Sequence, residues 1–140
     1  TLVSSYTHAD AFGQKPVLIG ERINPTGKKR CKEALKAGDL DYIRRVLDTG
    51  ISIGFDTVGK NNYFPDAKRV EFLLALEAEG RLDQIVLSED LTRKSHLKYK
   101  GGIGYCYLFE TFIPMLKAAG LKQESLDKML IHNPARILGV

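Results

Sequence analysis

The sequence predicts an α/β protein built from parallel βα units, and two observations carry that reading. Continuous apolar runs recur at Val17-Leu18-Ile19-Gly20-Glu21, Ile51-Ser52-Ile53-Gly54-Phe55-Asp56 and Gln84-Ile85-Val86-Leu87-Ser88-Glu89-Asp90. Each ends in an acid and leads on to a helical pattern, the order expected of strands buried on both faces. In such units chemistry gathers where strand C-termini pass into loops. A charge there is either exposed at the sheet mouth or paired, so Glu21, Asp56 and Asp90 are the first candidates for function.

Lys15-Pro16 opens the first strand, and Asn24-Pro25-Thr26-Gly27 forms a turn before a helix over 28–37 that Gly38 terminates. Asp39 caps a second helix over 40–48, whose Leu40, Ile43, Val46 and Leu47 follow helical spacing, and Gly50 ends it before the second strand. Pro65-Asp66 begins a third helix with Val70, Leu73, Leu74 and Leu76 facing inward and Gly80 stopping it. Residues 82–87 supply the third strand. A long loop over 91–104 follows, shaped by Gly101, Gly102 and Gly104, which tolerate backbone geometries other residues resist. Residues 105–119 read as helix that Pro114 should kink or split, and 125–131 as a shorter one. Asn133-Pro134 then reads as cap and first position of a final turn.

Composition fits one soluble domain: 140 residues, 44% hydrophobic and 27% charged. No apolar stretch approaches the roughly 20 residues that span a bilayer, and residues 1–14 lack the blocks of a signal peptide. A cytoplasmic protein is expected, with no membrane partner. Cys31 and Cys106 are too few for a disulfide framework or a four-ligand zinc site and are expected to be reduced packing residues. The net charge of +4 gathers in Arg22, Lys28, Lys29, Arg30 and Lys32 and in Arg93, Lys94, Lys98 and Lys100. These loop clusters suit phosphate or carboxylate groups, or simply solvent; nucleic acid is not expected as a partner.

Two resemblances rest on particular residues. The run Pro16-Val17-Leu18-Ile19-Gly20-Glu21-Arg22-Ile23-Asn24-Pro25-Thr26-Gly27-Lys28-Lys29, with Ser4-Ser5-Tyr6-Thr7-His8 before it, resembles the start of the pterin-binding domain of cobalamin-dependent methionine synthase, up to about Ile43. That resemblance implies a pterin or folate ligand at Glu21 and Asn24. From Asp39 onward the chain instead resembles the C-terminal part of the phosphotriesterase-like family of the amidohydrolase superfamily, close to the phosphotriesterase homology proteins. The segments that carry it are Leu40-Asp41-Tyr42-Ile43-Arg44-Arg45-Val46-Leu47-Asp48, Gly54-Phe55-Asp56-Thr57-Val58-Gly59-Lys60, Leu87-Ser88-Glu89-Asp90, Gly101-Gly102-Ile103-Gly104-Tyr105 and Asn133-Pro134-Ala135-Arg136. This resemblance makes Asp90 the aspartate that binds metal and handles the proton of the attacking hydroxide. Together the two imply a chimera, engineered or recombined.

Three strands are fewer than the eight a closed barrel requires, so the expected fold is three βα units of TIM-barrel type, an incomplete barrel or small open parallel sheet completed by oligomerisation. The phosphotriesterase-like site needs two metals, an early His-x-His and two further histidines, which the sequence does not offer. Glu21 and Asp90 are then the candidate ligands for a divalent ion such as zinc or manganese, with Asp90 also the catalytic residue. His8, His96 and His132 stand at no metal-ligand spacing, and His132 is expected to pack or cap. The lead expectation is a barrel-fragment protein without robust catalysis as a monomer, forming a homo-oligomer. The alternatives are a metal-dependent hydrolase of small phosphoesters or lactones assembled between chains, and a folate or anion site at the 21–32 loop.

Overall fold

The structure is a computed structural model that describes Val17–Ile19 and residues 39–139. The calls on Glu21, Asn24, His8, Cys31, the 1–14 leader, the 28–37 helix and the first basic cluster fall outside those residues. Three parallel strands, β1 (Val17–Ile19), β2 (Ser52–Phe55) and β3 (Ile85–Leu87), lie in the order β1-β2-β3. Leu18 pairs with Ile53, and Ile53 in turn with Ile85. Sequential parallel strands that neighbour one another need crossover helices, and the chain supplies them.

Helix α1 (Leu40–Asp48) starts where expected, because the Asp39 carboxylate accepts from the Tyr42 N–H at 2.9 Å. Its Ile43, Val46 and Leu47 are buried. Helix α2 (Asp66–Ala78) follows Pro65, whose side chain offers no cap, and buries Val70, Phe72, Leu73 and Leu76. Leu74 is only half-buried, at the edge of the inward face. The expected strand over 82–87 is shorter than predicted, since Leu82–Gln84 form a 3-10 turn that feeds β3.

The C-terminal third departs from the sequence reading in one repeated way. A π-helical turn at Leu108–Phe112 runs into α3 (Ile113–Ala118), and after α4 (Gln123–Asp127) a second π-helical turn at Lys128–His132 runs into α5 (Asn133–Leu138). Each wide turn sits immediately before the first turn of the helix that holds Pro114 or Pro134. A proline offers no N–H and crowds the carbonyl four residues back; the wider turn accommodates both defects without breaking the helix. Asn133 is therefore not a cap: its φ of −67° is helical, and its side chain turns into the core. Cys106, expected to pack, and His132, expected to pack or cap, are exposed, and His132 makes no capping hydrogen bond.

The main core cluster joins the sheet to α2 and the C-terminal helices, with Leu73, Leu76, Ile85, Phe112, Leu116 and Met129 fully enclosed, and a smaller one gathers around Val46. Two amides stitch the strand entrances. Gln84 Nε2 donates to the carbonyls of Leu47 at 3.0 Å and Ile51 at 2.9 Å, and Asn133 Nδ2 donates to those of Leu82 and Ile85, both at 2.7 Å. Among the described residues no helix is long and apolar enough to cross a membrane.

Candidate functional site

The exits of β2 and β3 converge. Beyond Leu87 the ladder continues into the loops, with Ser88 N–H on Phe55 O at 3.0 Å and Val58 N–H on Ser88 O at 3.2 Å. This lays residues 57–60 alongside residues 88–90. Asp90 follows with φ +47°, the one non-glycine residue in left-handed backbone among those described. Such a conformation costs of order 1 kcal/mol and persists where surrounding contacts impose it.

Lys60 supplies such contacts. Its ammonium donates to the Asp90 backbone carbonyl and, at 3.1 Å, to Asp90 Oδ2, so one side chain grips both the strained peptide and the carboxylate. The Lys60 side chain is 11% exposed and that of Asp90 33%, which leaves the carboxylate partly open to solvent. The sequence reading named Asp90 and quoted Lys60 only as part of a motif.

Asp56 is not an exposed acid at the mouth. It is buried, and its negative field helps to keep Arg69 protonated. Arg69 is the centre of a buried network that sequence reasoning missed. Nη1 donates to Asp66 Oδ1 at 2.7 Å and to the carbonyl of Phe64, while Nη2 donates to Thr57 Oγ1 at 2.7 Å. Burial pushes the guanidinium below its ordinary range, and the Asp66 charge opposes that shift. Asp66 also accepts from the Gly59 N–H at 3.2 Å to each oxygen and from the Tyr107 hydroxyl at 2.9 Å. Its own N–H donates to Asn61 Oδ1 at 2.7 Å. Burial, and next the bond to Asp66, pushes the Tyr107 phenol up. The readable signal was the i, i+3 acid and base, Asp66 and Arg69, at a helix start.

Glu89 was missed as well. It is buried beside Asp90, and its Oε1 accepts the Leu108 N–H at 2.5 Å, satisfying an otherwise unpaired donor at the start of the C-terminal helices. Burial raises its carboxyl above the ordinary range, with the Leu108 N–H opposing. The glycine-rich loop is shaped as expected: a Cβ on Gly102 would lie 2.2 Å from the His96 carbonyl carbon. His96 Nδ1 accepts from Thr92 N–H at 3.3 Å and joins no metal-ligand group among the described residues.

Among the described residues no three His, Cys, Asp or Glu side chains converge to hold a metal ion. The Asp90 carboxylate already has a cation, Lys60, as a partner. The described residues therefore do not fit, on their own, the two-metal centre that the resemblance implies.

Comparison with known proteins fits this picture. The model of the phosphotriesterase family matches residues 28–138. The phosphotriesterase homology protein of Escherichia coli is 49% identical over 98 residues, 70% of this chain and 34% of its own length. Its crystal structure, complexed with phosphate in the active site, superposes with a TM-score of 0.69 at 48% identity, over 71% of this chain and 34% of that one. A phospho-furanose lactonase of Mycoplasmopsis synoviae is 33% identical over 86% of this chain and 36% of its own length. An aryldialkylphosphatase of Saccharolobus solfataricus is 30% identical over 97% of this chain and 48% of its own. The chain thus spans about a third to a half of the length of these relatives.

Proposed function

Because the chain belongs to the phosphotriesterase family, we propose that it forms part of a β/α barrel of that kind and supplies the Asp90 arm of a metal-dependent hydrolase acting on small phosphoesters or lactones. The observation that carries this is Asp90 itself. It stands just past the C-terminal end of β3, in strained backbone, with a carboxylate that is held yet open to solvent. Strain kept at an oriented acid beyond a strand end is the mark of a working residue rather than a packing one. The phosphate bound to the Escherichia coli relative and the lactonase name of the Mycoplasmopsis synoviae relative support the substrate class.

The described residues cannot supply the metal ligands, so the other ligands must join Asp90 from elsewhere. We assign them to residues outside the described set, Glu21 included, with a second copy of the chain as the alternative source. Zinc or manganese is the ion to test.

The experiment follows a chromogenic phosphotriester and a lactone with and without zinc or manganese, over a range of protein concentrations, with molar mass tracked by light scattering. Metal-stimulated hydrolysis that grows with the oligomer fraction and vanishes in Asp90→Asn is the expected result. Hydrolysis that ignores the metal, survives Asp90→Asn or never appears refutes the reading.

A chimeric origin is a separate reading, carried by residues 16–29 and their likeness to a pterin-binding barrel. The relative that aligns over 97% of this chain supports uninterrupted descent instead. A folate titration that leaves tyrosine fluorescence without a saturable change removes the pterin ligand.

A further inference from the structure

Lys60 reaches Asp90 only if the loop that carries it is held in one place; Val58 and Phe64 anchor that loop in the core on either side, and residues 59–63 between them need a further hold. The residue before Lys60 supplies it. Gly59 stands at φ +83°, and a Cβ there would lie 2.6 Å from Ile103 Cδ1 and 2.8 Å from Tyr107 Cδ1, so its backbone lies flush against the Tyr107 ring. The Gly59 N–H meanwhile points at both oxygens of Asp66, and the Tyr107 hydroxyl points at the same carboxylate.

Asp66 thus takes one hydrogen bond from the β2 loop and one from the segment beyond β3, while Arg69 neutralises it from within α2. A carboxylate with this many donors in a buried setting has a single low-energy orientation. We propose that Asp66 and Tyr107 form a lock that positions Lys60 on Asp90, so that Asp66 is a positioning residue acting on the candidate site through Gly59 and Lys60. The proposal takes Asp90 as the site residue from the reading above. Its test reads geometry, independently of hydrolysis.

Asp66→Asn is the obvious variant, but it strands the buried Arg69 charge and endangers folding. Tyr107→Phe removes only the hydroxyl and keeps the ring against Gly59. Tyr105→Phe, at a neighbouring side chain that is 67% exposed, is the control. The readout is the rate at which an amine-specific N-hydroxysuccinimide ester acylates each lysine, followed by mass spectrometry, with exposed Lys68 as internal reference. Hydrogen exchange at the Ser88 amide, bonded to Phe55 where the strands end, reports on the strand pairing itself.

Loss of one hydrogen bond should raise Lys60 acylation about fivefold in Tyr107→Phe. Lys68 acylation and Ser88 exchange should stay at wild-type rates, and Tyr105→Phe should change nothing. Asp90→Asn should also free Lys60, and the double variant should add less than the sum of the two, because both act through the same side chain. Unchanged Lys60 acylation in Tyr107→Phe overturns the lock. So does a matching rise in Ser88 exchange, which would mean general loosening. A chain that labels as expected yet never hydrolyses refutes the functional reading and leaves the lock standing.

Discussion

Replacing Asn133 by alanine should be among the most damaging single changes outside the apolar core. The residue is 4% exposed, and its Nδ2 serves the carbonyls of Leu82 and Ile85 at 2.7 Å each. Both acceptors flank the entrance to β3, the strand that carries Asp90 at its other end. Each bond contributes about 1 kcal/mol net, and each carbonyl left dry and unpaired costs about 1–3 kcal/mol, partly offset where water can enter. The sum is about 2–4 kcal/mol, a large fraction of the roughly 5–15 kcal/mol that holds a domain folded. In a urea titration followed by circular dichroism this lowers the midpoint by about 1–3 M at an unchanged slope. Asn133→Asp should be worse at neutral pH, because a carboxylate would face two carbonyl oxygens, and should recover in acid as it gains a proton. A loss under about 0.5 kcal/mol in the alanine variant, or an aspartate variant as stable as wild type at pH 7, would refute the reasoning.

Arg69→Met should cost about 3–5 kcal/mol by leaving the Asp66 charge buried without its partner, and adding Asp66→Asn should recover part of that; calorimetric melting that shows a loss under about 1 kcal/mol sinks the account. Glu89→Gln should behave oppositely. The folded chain holds the Glu89 proton more tightly than the unfolded one, so wild-type stability falls as pH rises from the ordinary glutamate value through the raised folded value. Glutamine keeps the acceptor for the Leu108 N–H without the charge, so the variant should be the more stable protein at pH 7, with the gap closing in acid. Parallel stability curves against pH for the two proteins would show that Glu89 carries no burial penalty.

The backbone plan was legible because its signals are local. Asp39 as cap and the apolar spacing of Ile43, Val46 and Leu47 fix α1 without help from the rest of the chain. Asp90 was legible too, as an acid past a buried run. Lys60, Asp66, Arg69 and Tyr107 were not, because their meaning depends on which loops the parallel register lays side by side, and the Asp66–Tyr107 bond joins residues 41 apart in sequence. The role of Asn133 was misread for a related reason. An Asn-Pro pair looks like a helix start when the preceding π turn, which lets the helix run through the proline, is invisible in the sequence.

The two ends of the sheet are fastened by different chemistry. At the strand entrances the fasteners are carboxamides, Gln84 and Asn133, which carry no charge at any pH and feel little of the salt around them. At the exits they are ions: Asp66 with Arg69, Lys60 with Asp90, and the buried carboxyl of Glu89. Acid and alkali therefore bear on the buried fasteners of one end alone, because the ion pairs near the entrances, Arg81 with Asp48 and Lys128 with Asp83, stand in solvent, where such pairs contribute little. The buried fastening of the floor is thus insensitive to pH and that of the rim is set by it, so partial unfolding should begin at the rim, beside Asp90, while the floor keeps the strands aligned for reclosure.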